Sequence, residues 1–186
     1  MHVGCARSTR NAAEAYYSAP LYSGKTGRSP SAQQFSDDQF TGRTLGRVST
    51  GSITAITIDN RASCHLTGQV SLDKNGGFVQ MAFDLNSDDT PWDASHWTGI
   101  ELDVHGNGEA YEVRLRTCQL SKPWQSFRAV FQTSRNWNTV RVQFCDFAPH
   151  RHDLAFDPAH LRRIGVLAIG REFQAAVAVS ALLLYR

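Results

Sequence analysis

Seven histidines, four cysteines and 17 acidic residues are the groups in this 186-residue sequence that could do metal or acid–base chemistry. Their spacing decides what they can do. His150-Arg-His152 sets two imidazoles two residues apart, which in a strand would project to one face. No third ligand lies nearby, and a closed zinc site needs four, so the pair reads as a solvated loop after Phe147. Asp93 and His96 can pair locally, but no serine or cysteine stands in a nucleophile setting such as Gly-x-Ser-x-Gly. The carboxylate pairs Asp37/Asp38 and Asp88/Asp89 follow serines and read as turns. The glycines of Gly106-Asn-Gly108 open no helix, so a phosphate-cradling loop is not expected. Cys5, Cys64, Cys118 and Cys145 contain no Cys-x-x-Cys pair and read as reduced thiols. No catalytic residue, metal or cofactor is therefore expected.

What remains is binding chemistry. Glu112, Arg114 and Arg116 alternate with apolar residues and so share one face of a strand. Arg128, Arg141 and Gln143 have the same outward parity in their own strands, as do Gln80, Glu101 and Asp103. If those strands are neighbours, the side chains form one surface. Arginine forks there, Arg114, Arg116 and Arg141 with Glu112 to orient them, can hold carboxylate-rich or hydroxyl-rich ligands. The plainer reading is a solvated sheet face laced with weak ion pairs. Trp92 and Trp124 stand beside Pro91 and Pro123 in apparent loops. There they can stack on a sugar, anchor a protein partner, or lid the end of a sandwich.

The elements that must carry these residues are strands. From Phe35 onward, short apolar–polar alternations are punctuated by Gly, Asn and Asp, the pattern of an antiparallel sandwich. Val79/Met81/Phe83/Leu85, Ile100/Leu102/Val104, Tyr111/Val113/Leu115, Phe127/Ala129/Phe131 and Val140/Val142/Phe144 each put one side inward. Asp73-Lys-Asn-Gly-Gly77 and His105-Gly-Asn-Gly108 supply turns. One short helix is expected over Asp157–Arg163, capped by Asp157 with Pro158 at its first position, followed by a strand with Leu167 and Ile169. Phe173–Tyr185 is read as a strand from its apolar odd positions, although its alanine content also suits a helix. Residues 1–34 lack a sustained period and read as a flexible tail with at most a short helix over Asn11–Ser18, leaving 35–186 as the binding domain.

Composition narrows the class. The balance of 19 basic and 17 acidic residues is too even to point to nucleic acid or an anionic membrane. The longest apolar run, Ala175–Leu184, falls short of the roughly 20 residues of a membrane-spanning helix, so the chain is not expected to be a transmembrane protein. No apolar stretch follows Met1–Cys5, so no secretory signal is expected.

Four segments together resemble the complex I intermediate-associated protein family. They are Thr44-Leu-Gly-Arg-Val-Ser-Thr-Gly-Ser52, Asn75-Gly-Gly-Phe78, the long run from Trp97 to Thr117, and Trp137–Pro149 followed by Ile164–Gly170. Arg47 departs from the pattern, standing where the family has a second glycine. The resemblance implies an all-β jelly-roll β-sandwich of two antiparallel sheets, galactose-binding-domain-like and similar in shape to some carbohydrate-binding modules. It makes Trp97 and Trp137 packing residues. It implies no catalytic residues and a protein partner, namely complex I subunits or assembly intermediates, in the cytoplasm of a bacterium or the mitochondrial matrix of a eukaryote. A glycan held on a sheet face is the rival reading.

Overall fold

The computed structural model describes residues 18–23, 50–73, 77–86 and 90–186. Among them are eleven strands: β1 (Ser18–Ser23), β2 (Thr50–Ile58), β3 (Arg61–Val70), β4 (Phe78–Asp84), β5 (Gly99–Gly106), β6 (Ala110–Thr117), β7 (Ser126–Gln132), β8 (Asn138–Gln143), β9 (Ala148–His150), β10 (Leu161–Ile169) and β11 (Phe173–Tyr185). They form two antiparallel sheets. The first runs β2-β3-β11-β5-β8, with β1 also on β11, and the second runs β4-β10-β6-β7-β9. This is the expected jelly-roll sandwich.

Local chemistry sets the turns. β2 and β3 are joined by Asp59-Asn60, both at positive φ (48° and 61°), the conformation of a tight hairpin and one that Asp and Asn tolerate. Gly108, at φ +89°, closes the expected turn between β5 and β6. The β3–β4 connection is held by the Gly77 amide, which donates to the Ser71 carbonyl at 2.7 Å; residues 74–76 of the expected turn lie outside the described residues.

The period-two reading holds on the inward faces. Met81, Val113, Leu115, Ile100, Leu102 and Val104 are fully buried in one core. Each such side chain contributes roughly 1.5–3 kcal/mol through removal of apolar surface from water. Tyr111 ties the two sheets. Its ring lies among Phe131 and Phe173, at centroid distances of 6.1 and 5.8 Å. Its hydroxyl accepts the Ala176 amide of β11 at 2.9 Å and donates to Asn107 Oδ1 at 2.9 Å. Asn107 in turn donates to the Gln174 carbonyl at 2.7 Å, so one phenol joins β6, the β5–β6 turn and β11.

Four expectations change. The helix over Asp157–Arg163 is only a 3₁₀ turn, Pro158–His160. Asp157 caps it through the Ala159 amide, as expected, but Leu161, Arg162 and Arg163 already belong to β10 because Leu161 and its successors pair with β6. β11 is buried on odd positions only as far as Val179. A bulge between Val179 and Ala181 then reverses the parity, so Leu182 and Leu184 enter the core. Within the segment read as a tail, Ser18–Ser23 is a strand; the remainder of 1–34, including 11–17 of the expected helix, lies outside the described residues. Among the cysteines, Cys145 is disulfide-bonded whereas Cys118 is a thiol, which corrects the expectation of four reduced thiols.

β1 has a defined place. β3 pairs with β11 from Phe173 to Val179 on one edge, and β1 pairs from Ala181 to Tyr185, while β5 takes the other edge along most of β11. β1 therefore continues the edge where β3 stops, satisfying backbone groups next to Leu182 and Leu184. A chain beginning at Gly24 should melt at least roughly 4 °C lower than the full chain, a loss on the order of 1–2 kcal/mol. An unchanged melting temperature in calorimetry would show that β1 adds nothing. Tyr111→Phe strands a buried amide and Asn107 Oδ1, so we expect a loss of about 1–3 kcal/mol, read as a Tm lower by roughly 3–10 °C. A Tm equal to wild type would mean that the phenol does not tie the sheets.

Candidate functional site

The ladders of the second sheet align its outward side chains in rows. Asp84, Arg163 and Arg116 form one row across β4, β10 and β6, followed by Ala82, Gly165 and Arg114, then Gln80, Leu167 and Glu112. Two of these arginines are oriented by carboxylates. Arg163 grips Asp84 through Nε and Nη2 at 2.5 and 2.8 Å. Arg114 holds Glu112 at 2.7–2.8 Å, and Arg128 of β7 reaches the same carboxylate at 3.5 Å.

Arg116 is different. Its Nη1 and Nη2 donate to the carbonyls of Pro123 and Lys122, each at 3.1 Å, and among the described residues it makes no ion pair. Burial, followed by the nearby charges of Arg162 and Arg163, lowers its pKa. A guanidinium nevertheless stays charged at physiological pH, so this end of the face keeps an uncompensated positive charge. The same fork pins the loop that carries Trp124, which is 46% exposed.

Between these rows runs a groove of about 590 Å³, within the size range of ligand sites. Ala82, Gly165 and Leu167 form its floor; Arg116, Arg163 and Trp124 lie toward one end, and Leu72 and Phe78 toward the other. Gly165 matters here because it has no side chain to fill the space, and a Cβ on it would stand 3.2 Å from the Leu167 side chain. Ser126, His150 and Arg151 also line the groove. Ser126 is buried and its hydroxyl has no hydrogen-bond partner among the described residues. The imidazole of His150 is held below its usual pKa by burial, then by Arg114, Arg128 and Arg151, against the opposing effect of Glu112.

The structure thus brings together Glu112, Arg114, Arg116 and Trp124, but not all the residues singled out from sequence. Arg141 is on β8 in the other sheet, where it pairs with Glu101 at 2.5 Å and lies over the Tyr185 ring at 5.3 Å. Matching parity placed it outward, as expected, but on the opposite side of the sandwich. Trp92 is half-buried, bridges Leu161 through its backbone amide at 2.6 Å, and does not line the groove. Trp97 packs on the core as expected, while Trp137 lies beside His105 at 5.5 Å and donates to the Ile58 carbonyl. His150 and His152 do not act as a pair. Arg151, at φ 61°, breaks the strand between them, and His152 turns edge-on to Phe127 at 4.6 Å.

Sequence reasoning missed Arg163, Gly165 and Leu167 as site residues because Arg163 fell in the expected helix and Leu167 was placed in a strand without a face. The alternation of Ile164, Val166 and Ala168, all core residues, was the signal that their neighbours face out. Among the described residues, no group of three or more His, Cys, Asp or Glu is gathered to hold a metal. No described helix is long and apolar enough to cross a membrane.

The fold is a jelly-roll sandwich with a charged groove on one sheet face. The chain belongs to the complex I intermediate-associated protein 30 (CIA30) family, whose model matches residues 26–177. No curated protein matches it. Among solved structures it is similar in fold to the family 11 carbohydrate-binding module of the cellulosomal cellulase Lic26A-Cel5E of Clostridium thermocellum, with a TM-score of 0.60 at 12% identity over 75% of this chain and 83% of that one. The family 11 module from Clostridium thermocellum in complex with a β-1,3-1,4-mixed-linked tetrasaccharide gives 0.58 at 15% identity, over 75% and 84%. A family 30 carbohydrate-binding module gives 0.58 at 12% identity, over 90% and 98%. At these identities the likeness is one of fold.

The electrostatics of the groove can be read at His150. Its NMR titration should give a pKa below that of an unperturbed imidazole, and Arg151→Gly should raise it by removing one like charge. A value at or above the unperturbed one, or no response to the substitution, would contradict the field described here.

Proposed function

We propose that this chain is a non-catalytic interaction domain that assists assembly of a respiratory membrane complex, NADH:ubiquinone oxidoreductase. Its partner in this reading is a complex I subunit or assembly intermediate, and the recognition surface is the outer face of the second sheet. The CIA30 match over most of the chain supports the biological setting. The observation that carries the site is Arg116, a guanidinium that forms no ion pair among the described residues, at the mouth of a groove beside the exposed Trp124. An arginine beside an exposed tryptophan is the composition of an interaction hot spot. Binding belongs to residues 35–186 on this reading, with Arg114, Arg116, Glu112 and Trp124 as its contacts, in the cytoplasm of a bacterium or the mitochondrial matrix of a eukaryote.

A second reading is a carbohydrate-binding module. Trp124 favours it, since an exposed indole at a groove can stack on a sugar ring, and the fold is that of modules of this kind. Affinity purification of the tagged protein from its native cells in detergent separates the two. We expect complex I subunits to be recovered. Recovery of none of them, with a clear signal on a glycan array, would overturn the assembly reading in favour of the second.

A further inference from the structure

Building on the protein-binding reading above, we infer that the groove along β10 receives an extended segment of the partner protein, with carboxylates at one end and an apolar side chain at the other. The groove itself is graded in this way. At the Arg163 end, Arg116, Arg163, Arg151 and Trp124 gather; at the Ile169 end, Leu72, Phe78 and Leu167 do. The outward residues of β10 from Arg163 to Ile169 span about 20 Å, room for roughly six extended residues.

Charge complementarity selects the acidic end. Arg116 feels Arg162 and Arg163 against Asp84, and His150 feels Arg114, Arg128 and Arg151 against Glu112. A guanidinium has five N–H donors, and Arg116 spends one each from Nη1 and Nη2 on loop carbonyls. A carboxylate from outside would take up remaining donors and offset the local excess of positive charge.

Exposed and misplaced apolar surface selects the other end. Leu167 points away from the inter-sheet core but is only 2% exposed, so the apolar surface open at this end is chiefly that of Leu72. Large exposed hydrophobic side chains among the described residues are Leu72, Trp124, Val130 and Leu154, and the first two rim this groove. An oligosaccharide would be better served by several aromatic platforms, whereas here one exposed indole stands among four lining arginines.

The test is calorimetric titration of the full chain with the blocked hexapeptide Glu-Glu-Gly-Gly-Leu-Leu and with its reversed sequence, since the segment can run either way. At least one should bind, and replacing its glutamates by lysines should abolish binding. The double variant Arg116→Gln/Arg151→Gly should weaken binding by about tenfold or more. Ala82→Phe, which fills the floor without changing charge, should do the same, with circular dichroism confirming that each variant is folded. Bound peptide should raise the pKa of His150 by NMR, which binding elsewhere would not do. Binding of neither peptide, undiminished binding by both variants, or binding of hexagalacturonate in place of the peptides would each overturn the inference. Recovery of complex I subunits by wild type and Ala82→Phe alike would overturn the groove while leaving the assembly reading standing. Groove-dependent peptide binding without such recovery would uphold the groove and remove the assembly reading.

Discussion

The hydroxyl of Tyr111 ties the two sheets to each other. The residue belongs to β6, in the second sheet, yet its oxygen accepts an amide of β11, in the first, and donates to the turn between β5 and β6. A buried phenol has to find such partners, because leaving its polar atoms unpaired would cost more than the bonds themselves gain. Satisfying it sets the relative placement of the sheets, and the apolar inward rows then pack from that end. Since the inward faces are consumed in this way, anything the protein recognises has to meet loops or the outward faces.

On the outward side of the second sheet, most of the charge is already spoken for. Arg114 and Arg128 share Glu112, and Arg163 lies against Asp84. The more open pairs contribute little to stability but hold long side chains in fixed directions, whereas Arg114–Glu112 is largely buried. Arg116 is the exception, tied to backbone carbonyls that neutralise none of its charge. A formal charge of +2 over the whole chain conceals this local excess. The open floor comes from another source, the absence of a side chain at Gly165 and the small one at Ala82, which leave a channel where ordinary strand residues would have covered the sheet.

Much of the fold was legible because burial in a sandwich has a period of two. Tyr111, Val113 and Leu115 face inward as their spacing requires, and so do Val79, Met81 and Phe83. Parity says which side of its own sheet a residue faces, but not which sheet it belongs to. That is why Arg141 looked like a companion of Arg114 and lies instead with Glu101 on the other side of the molecule. Parity also fails where the ladder gains a residue. The bulge between Val179 and Ala181 reverses the last strand, and Ser180 gives no warning of it in sequence. At Leu161, a genuine cap at Asp157 suggested a helix, but pairing on both sides of β10 outweighed a single capped turn. The tryptophan loops were visible as loops, but only the fork of Arg116 onto Lys122 and Pro123 shows that Trp124, unlike Trp92, belongs to the groove.

The central claim is that recognition takes place on the outer face of the second sheet. Hydrogen–deuterium exchange of the chain, alone and in the assembly intermediate isolated from native membranes, measures it most directly. Strand amides already paired in the ladder should change little, so the signal lies in the backbone that flanks the groove. The account predicts new protection over residues 118–125 and at Arg151, His152 and Leu72, with the outer-edge strand β8 unaffected. Protection confined to β8 and the β2–β3 hairpin, with none around the groove, would contradict it.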